Sequence, residues 1–206
     1  MTCAHCAFSC TGKGTFMMQE VFDKCLEVAA ERNEFVTIGG GEPTLHPKCL
    51  QWTLAAALAL VDVSLEVDAP AVMVITNGKR SKVAVQLAKL SKLGVISAEL
   101  SQDEFHDEID EDTVAAFERY AGIRNVTING NAVIDVGRAR ESHEAGLLNV
   151  RDGCACETLF VSPNGDFYAC GCWKTKLGNI LTDEIPESYW EHSGECELTE
   201  RELEPA

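Results

Sequence analysis

Three cysteines lie close together near the amino end of the chain, at positions 3, 6 and 10. Thiolates spaced in this way on one loop are soft ligands, suited to an iron–sulfur cluster or to zinc. Farther along, a glycine-rich turn runs from Gly39 to Pro43. Because glycine has no side chain, a small polar ligand could approach the backbone closely there. The two motifs predict a soft-metal site and a small-ligand site on one chain.

The order of these motifs resembles that of the radical S-adenosylmethionine (radical SAM) enzymes. Their cluster motif is Cys-x3-Cys-x2-Cys, and their second motif is Gly-Gly-Glu-Pro. Cys3 and Cys6 match the last two cysteines of the family motif, whereas Cys10 follows at a spacing that the motif lacks. Either the chain is truncated within the motif, which we favour because the family fold has a strand ahead of its cluster loop, or Cys10 supplies the third thiolate.

The resemblance implies a [4Fe–4S] cluster held by three cysteines, with S-adenosylmethionine chelating the open iron. One electron from the cluster then cleaves a C–S bond of the cofactor and yields a 5′-deoxyadenosyl radical. The family pattern assigns Gly40, Gly41 and Glu42 to the methionine amino group, since an ammonium needs carbonyl or carboxylate acceptors. The alternative for the same glycines is a strand-to-helix turn with no ligand.

Other residues match later family segments. The resemblance makes Asn77 a polar contact of the cofactor, although the Thr76–Gly78 sequence by itself favours a plain turn. Ser101 and Asp103 are expected at the ribose hydroxyls ahead of His106, with a solvated acidic loop as the alternative. Arg138 is either a bidentate partner of the cofactor carboxylate or a surface arginine.

A second group of cysteines lies near the carboxyl end. Cys154 and Cys170, with Gly165 between them, resemble the start of the auxiliary-cluster extensions called SPASM and twitch domains. The resemblance implies one auxiliary cluster, whose expected ligands are Cys154, Cys170, Cys172 and Cys196. A zinc site, or a hairpin with free thiols, remains the alternative, since spacing alone does not separate soft-metal sites.

Hydrophobic periodicity predicts the elements that position these residues. The expected helices are Thr15–Arg32, Cys49–Leu60, Ser81–Leu93 and Ile109–Ala121, and the expected strands are Phe35–Ile38, Ala71–Ile75, Val95–Leu100, Val126–Ile128 and Val133–Ile134. A β-hairpin is expected from Leu159 to Cys170, turning at Pro163–Gly165. Alternation of strands and helices favours a parallel sheet, whose ligands sit at the carboxyl ends of the strands.

Composition limits the function. The chain has 206 residues and a net charge of −16, which argues against a nucleic-acid partner. The apolar run Leu54–Val63 is too short to span a membrane and predicts a buried helix. No signal peptide is evident, and ten cysteines in two clusters favour metal ligation in a reducing cytoplasm over disulfides.

We therefore expect an α/β protein with an incomplete (β/α)6 radical SAM-type barrel and a small C-terminal β-hairpin extension. The core should span residues 1–140, and the cysteine-bearing extension and acidic tail residues 141–206. The expected reaction is reductive cleavage of S-adenosylmethionine and hydrogen abstraction from a small-molecule or peptide substrate, with a flavodoxin or ferredoxin as electron donor. The alternatives are a non-catalytic zinc-binding α/β protein and a truncated or degenerate radical SAM protein.

Overall fold

The computed structural model describes residues 12–102, 106–124, 158–169 and 176–187. Of these, residues 26–102 and 106–124 form one compact unit, and the other described residues form a second. The expected domain boundary after residue 140 lies outside the described residues and stays a prediction.

The first unit is built on a parallel four-stranded sheet. Its strands are β1 (Val36–Ile38), β2 (Val72–Thr76), β3 (Ser97–Ser101) and β4 (Gly122–Arg124), and they lie side by side in chain order. The helices are α1 (Gln19–Glu31), which has residues in both units, α2 (Cys49–Ala59), α3 (Val61–Val67), α4 (Ser81–Lys92) and α5 (Glu111–Tyr120). This is the expected α/β alternation, and within the described residues the sheet does not close into a barrel.

Strands β1 and β2 are rich in β-branched residues, whereas β3 contains none. In β2, Val72, Val74 and Thr76 are buried, and the residues between them are half-buried. Such near-continuous burial is typical of a parallel strand with material on both faces. The Leu87 side chain of α4 and the Phe117 side chain of α5 are completely buried. These two side chains therefore belong to the hydrophobic core of the first unit.

The predicted elements are confirmed within the described residues, with shifts at their ends. Helix α1 begins at Gln19 rather than at the expected Thr15, and β4 at Gly122 was not expected. The expected strands Val126–Ile128 and Val133–Ile134 lie outside the described residues.

The prediction of a buried helix over Leu54–Val63 is wrong in two respects. The segment breaks at Leu60 into α2 and α3, and Leu58 is 75% exposed while Leu54 is 41% exposed. Only one face is buried, through Trp52, Ala56 and Leu60. In the described part of the chain, no single helix has the length and apolar character to cross a membrane; α2 and α3 together meet those criteria but are bent by 61°.

The second unit contains a small antiparallel sheet. Its strands are β5 (Phe160–Val161), β6 (Asp166–Tyr168) and β7 (Lys176–Asn179), in that order. The hairpin β5–β6 confirms the predicted turn, which Gly165 closes with a φ of +90°. The extension is therefore a three-stranded sheet rather than a hairpin alone, because β7 pairs with β6.

Gly78→Ala should destabilise the first unit more than an ordinary glycine substitution. Gly78 has a φ of +73°, and an added Cβ would lie 2.9 Å from Cγ2 of Thr113. We expect the free energy of unfolding to fall by about 3 kcal/mol, because left-handed backbone strain and overpacking both contribute. Gly94→Ala is the matched control, since Gly94 has a φ of +72° but no atom within 4 Å of the added carbon. The free energy of unfolding of Gly94→Ala, measured by urea denaturation, should fall by about 1 kcal/mol. Equal decreases in the two variants would contradict the prediction.

Candidate functional site

The glycine turn and the Thr76–Gly78 turn meet at one edge of the sheet. Strands β1 and β2 are parallel neighbours, with Ile38 opposite Val74, so their carboxyl ends lie at the same edge. The chain leaves β1 through Gly39–Gly41 and leaves β2 through Asn77 and Gly78. The topology thus brings together two segments that are far apart in sequence.

The carboxylate of Glu42 joins these segments. Its Oε2 accepts a hydrogen bond of 2.8 Å from the backbone N–H of Asn77, and its Oε1 accepts one of 2.6 Å from the Thr76 hydroxyl. The same Oε1 accepts from the backbone N–H of Thr44 at 3.0 Å and from the Thr44 hydroxyl. Glu42 therefore holds the glycine turn against the end of β2.

The local sequence explains why Glu42 stands in this position. Glu42 is the N-cap of a short 3-10 helix, Pro43–Leu45, and Pro43 occupies its first position. Proline suits that position because its fixed φ is helical and its missing N–H would have no partner there. The cap bond to Thr44 orients the carboxylate, and Thr44 itself is completely buried.

The glycines before Glu42 are open on their outer side. Gly40 has a φ of +98°, a conformation that favours glycine, and a Cβ added at Gly39 or Gly40 would meet no atom within 4 Å. Glycine is therefore favoured at position 40 by the positive φ of the backbone, because an added side chain would not clash with other atoms. A ligand can therefore approach the exposed backbone of the turn without displacing a side chain.

An aromatic contact follows the glycine turn in the sequence. The His46 ring lies over the Trp52 ring with centroids 4.2 Å apart, and His46 Nδ1 accepts from the backbone N–H of Lys48 at 3.1 Å. Partial burial, and secondly the positive charge of Lys48, lower the pKa of His46. The neutral ring with its proton on Nε2 fits this geometry.

A cavity of about 170 Å³ lies beside the Asn77–Gly78 turn, and its lining includes Lys79, Ser81, Asp107 and Asp110. Lys79 forms a 2.6 Å ion pair with Asp107, which lowers the pKa of that carboxyl. The pair is exposed, so its contribution to stability is small.

The described cysteines, Cys25 and Cys49, lack the properties of metal ligands. Burial raises the pKa of the Cys49 thiol to about 11 and that of Cys25 to about 12. Metal ligation requires the thiolate, and in the metal-free chain both thiols are held protonated by burial. Within the described ranges, no group of three His, Cys, Asp or Glu side chains could hold a metal ion.

Only some of the expected site residues fall within the described chain. Gly40, Gly41, Glu42 and Asn77 are brought together, and Ser101 ends the neighbouring strand β3, half-buried. Outside the described residues lie Cys3, Cys6, Cys10, Asp103, Arg138, Cys154, Cys170, Cys172 and Cys196. The sequence interpretation missed Thr44 and the hydroxyl of Thr76; a threonine two residues after a capping acid was the available signal.

Asp110 is the N-cap of α5, and its protonation should lower the free energy of unfolding in the acid pH range. Hydrogen bonds from the Ser81 hydroxyl and then from the backbone N–H of Thr113 lower the pKa of Asp110. A lowered folded-state pKa stabilises the fold above the unfolded value and loses that effect as the pH falls. Asn caps as well as Asp but does not titrate. Chemical denaturation of Asp110→Asn should thus match the natural protein at neutral pH and show a shallower loss of stability between about pH 5 and pH 3. If the free energy of unfolding fell equally with pH in the natural protein and in Asp110→Asn, the prediction would be contradicted.

Comparison with known proteins gives two matches. The family model described as "Radical SAM superfamily" matches residues 1–135. The fold is similar to the crystal structure of BtrN in complex with AdoMet and 2-DOIA, with a TM-score of 0.61 and 15% sequence identity, over 93% of this chain and 80% of that chain. At this identity the second match shows the fold alone. No curated protein sequence matches the chain.

Proposed function

The chain belongs to the radical SAM superfamily, and from this premise we propose that it cleaves S-adenosylmethionine reductively and abstracts hydrogen from a peptide or small-molecule substrate. Membership makes it a radical SAM enzyme and implies a [4Fe–4S] cluster and S-adenosylmethionine as cofactors. When bound, these cofactors supply a one-electron cleavage of a C–S bond. The residues of the chain bind, orient and shield them.

The observation that carries the proposal is the arrangement around Glu42. The bare backbone of Gly39 and Gly40 is open to a ligand. One carboxylate oxygen, Oε2, accepts a single described hydrogen bond, from Asn77. An ionised carboxylate has about four acceptor positions, so Oε2 can accept from one more donor. These groups fit the amino group of S-adenosylmethionine, whose N–H bonds need acceptors, and the ribose would extend towards Ser101 and Asp103.

The cluster ligands are proposed from the sequence. Cys3 and Cys6 are the ligands that match the family motif, with Cys10 as the candidate for the third. The described thiols do not compete with them, because burial keeps Cys25 and Cys49 protonated. Arg138 is proposed to pair with the cofactor carboxylate.

The C-terminal extension is proposed to hold an auxiliary cluster. The rigid hairpin β5–β6 ends beside Cys170 in the sequence, which suits a clamp for sulfur ligands. Cys154, Cys172 and Cys196 complete the proposed set. A low-potential flavodoxin or ferredoxin is the proposed electron donor, since the chain must receive one electron in each cleavage.

The proposal predicts product formation that depends on particular cysteines. The full-length protein, reconstituted anaerobically with iron and sulfide and then reduced, should convert S-adenosylmethionine to 5′-deoxyadenosine and methionine. Chromatography measures both products. Cys6→Ala should abolish them because it removes a thiolate ligand, and Cys10→Ala tests whether Cys10 supplies the third.

Cys25→Ala is the control for general damage to the protein. Its thiol is protonated and lies in α1, so its substitution should leave iron content and product formation unchanged. A purified protein that contains zinc, takes up no iron and forms no 5′-deoxyadenosine would refute the proposed function.

A further inference from the structure

We propose that Thr76 and Thr44 are positioning residues that commit Oε1 of Glu42 to the fold and so reserve Oε2 for the amino group of the cofactor. This inference rests on the proposed function, because it concerns how the chain presents Glu42 to that ligand. Neither hydroxyl contacts the ligand in this scheme. Both act through the carboxylate.

The hydrogen-bond directions of the two hydroxyls are fixed by their other partners. The Thr76 hydroxyl accepts from the backbone N–H of Gly78 at 3.0 Å, and the Thr44 hydroxyl accepts from the backbone N–H of Arg80 at 3.2 Å. A hydroxyl has one proton to donate. Since Glu42 Oε1 is the acceptor in reach of both, each hydroxyl donates its only proton there.

The two carboxylate oxygens are therefore unequal. Oε1 accepts from both hydroxyls and from the backbone N–H of Thr44, whereas Oε2 accepts from the backbone N–H of Asn77. Three donors exceed the two lone pairs of Oε1, so that oxygen has no capacity for a ligand. Counting only donors from the described residues, Oε2 retains one lone pair.

The hydroxyls are also the groups that fix the rotation of the carboxylate. The last torsion of a glutamate side chain has broad, shallow minima, so packing alone does not select one orientation. Thr44 is completely buried and Thr76 is 2% exposed. Water therefore cannot readily replace either hydroxyl, and removing one would let the carboxylate turn about its axis.

The arrangement links the end of β2 to ligand recognition. Thr76 is the last residue of β2, and its hydroxyl connects the Gly78 amide to Glu42. Asn77 donates to Oε2 from the next peptide group. The strand end thus fixes which carboxylate oxygen keeps its capacity for a further donor.

Thr76→Val tests this role, because valine keeps the shape of threonine and removes the hydroxyl. The measurement is the dissociation constant of the anaerobically reconstituted full-length protein for S-adenosylmethionine and for its analogue in which hydrogen replaces the amino group. We expect roughly tenfold weaker binding of S-adenosylmethionine and less than about twofold change for the analogue. Thr76→Ser keeps the hydroxyl and should restore the natural affinity.

Thr113→Val is the matched control for loss of a buried threonine hydroxyl. Thr113 is completely buried, and its hydroxyl pairs with Ser81 at 2.7 Å and makes no described hydrogen bond to Glu42. Its substitution should lower stability without discriminating between the two ligands. Equal weakening of both ligands by Thr76→Val, or the same pattern from Thr113→Val, would overturn the proposal.

Amide hydrogen exchange gives a readout that does not depend on the cofactor. In Thr76→Val the Asn77 amide should exchange faster than in the natural protein and in Thr76→Ser, because its acceptor is no longer fixed. Unchanged Asn77 protection would overturn the positioning role. If Thr76→Val does not fold, Thr44→Val should give the same pattern of binding and exchange, and a different pattern would overturn the proposal.

The two failures are distinguishable. If the natural protein does not bind S-adenosylmethionine, the proposed function fails and the reservation of Oε2 for its amino group fails with it. If the natural protein binds it and Thr76→Val binds both ligands as the natural protein does, only the positioning role fails.

Discussion

A single carboxylate, that of Glu42, ties the glycine turn to the end of β2, and the geometry of the candidate site depends on that tie. A carboxylate withdrawn from water needs donors to replace its lost hydration. Here the donors come from Thr44, Thr76 and Asn77. Because Glu42 lies after β1 and Thr76 ends the neighbouring parallel strand β2, the contact depends on the register in which Ile38 lies opposite Val74. A slip by one residue would reverse the faces of the strand residues and separate the donors from the carboxylate.

The two positive-φ glycines at this edge serve different physical purposes. Gly40 has open space around it, so its left-handed backbone shapes the turn and leaves it accessible. Gly78 is packed against Thr113, Leu100 and Ile109, so there the missing side chain lets the β2 turn approach α5. Gly40 leaves backbone exposed at the edge of the sheet, whereas Gly78 allows close packing of the adjacent turn. This division explains how a rigid support and an exposed backbone occur side by side.

Periodicity predicted β1, β2 and β3 and the helices α1, α2, α4 and α5, although with shifted ends, whereas α3 and β4 were not expected. The misplaced boundaries come from tertiary contacts. Helix α1 begins late where the backbone N–H of Met18 bonds to the carbonyl of Pro163, a partner that local sequence does not reveal. Strand β4 is three residues that pair with β3 without a strand-like pattern of their own. At the site, the motif indicated Glu42 and Asn77, but the pairing of the Thr76 hydroxyl with Glu42 spans 34 residues and required the fold.

The shared use of one carboxylate constrains both stability and recognition. The hydrogen bonds at Oε1 hold the turn in place whether or not a ligand is present, so they contribute to the fold of the free protein. A ligand that binds at Oε2, as proposed, would meet a carboxylate whose orientation is already fixed, so no binding energy would be needed to order that group. Conversely, a substitution that disturbs the end of β2 also removes hydrogen bonds that orient the Glu42 carboxylate. Affinity for the cofactor and stability of the β1–β2 edge should therefore change together, because both depend on the hydroxyl of Thr76.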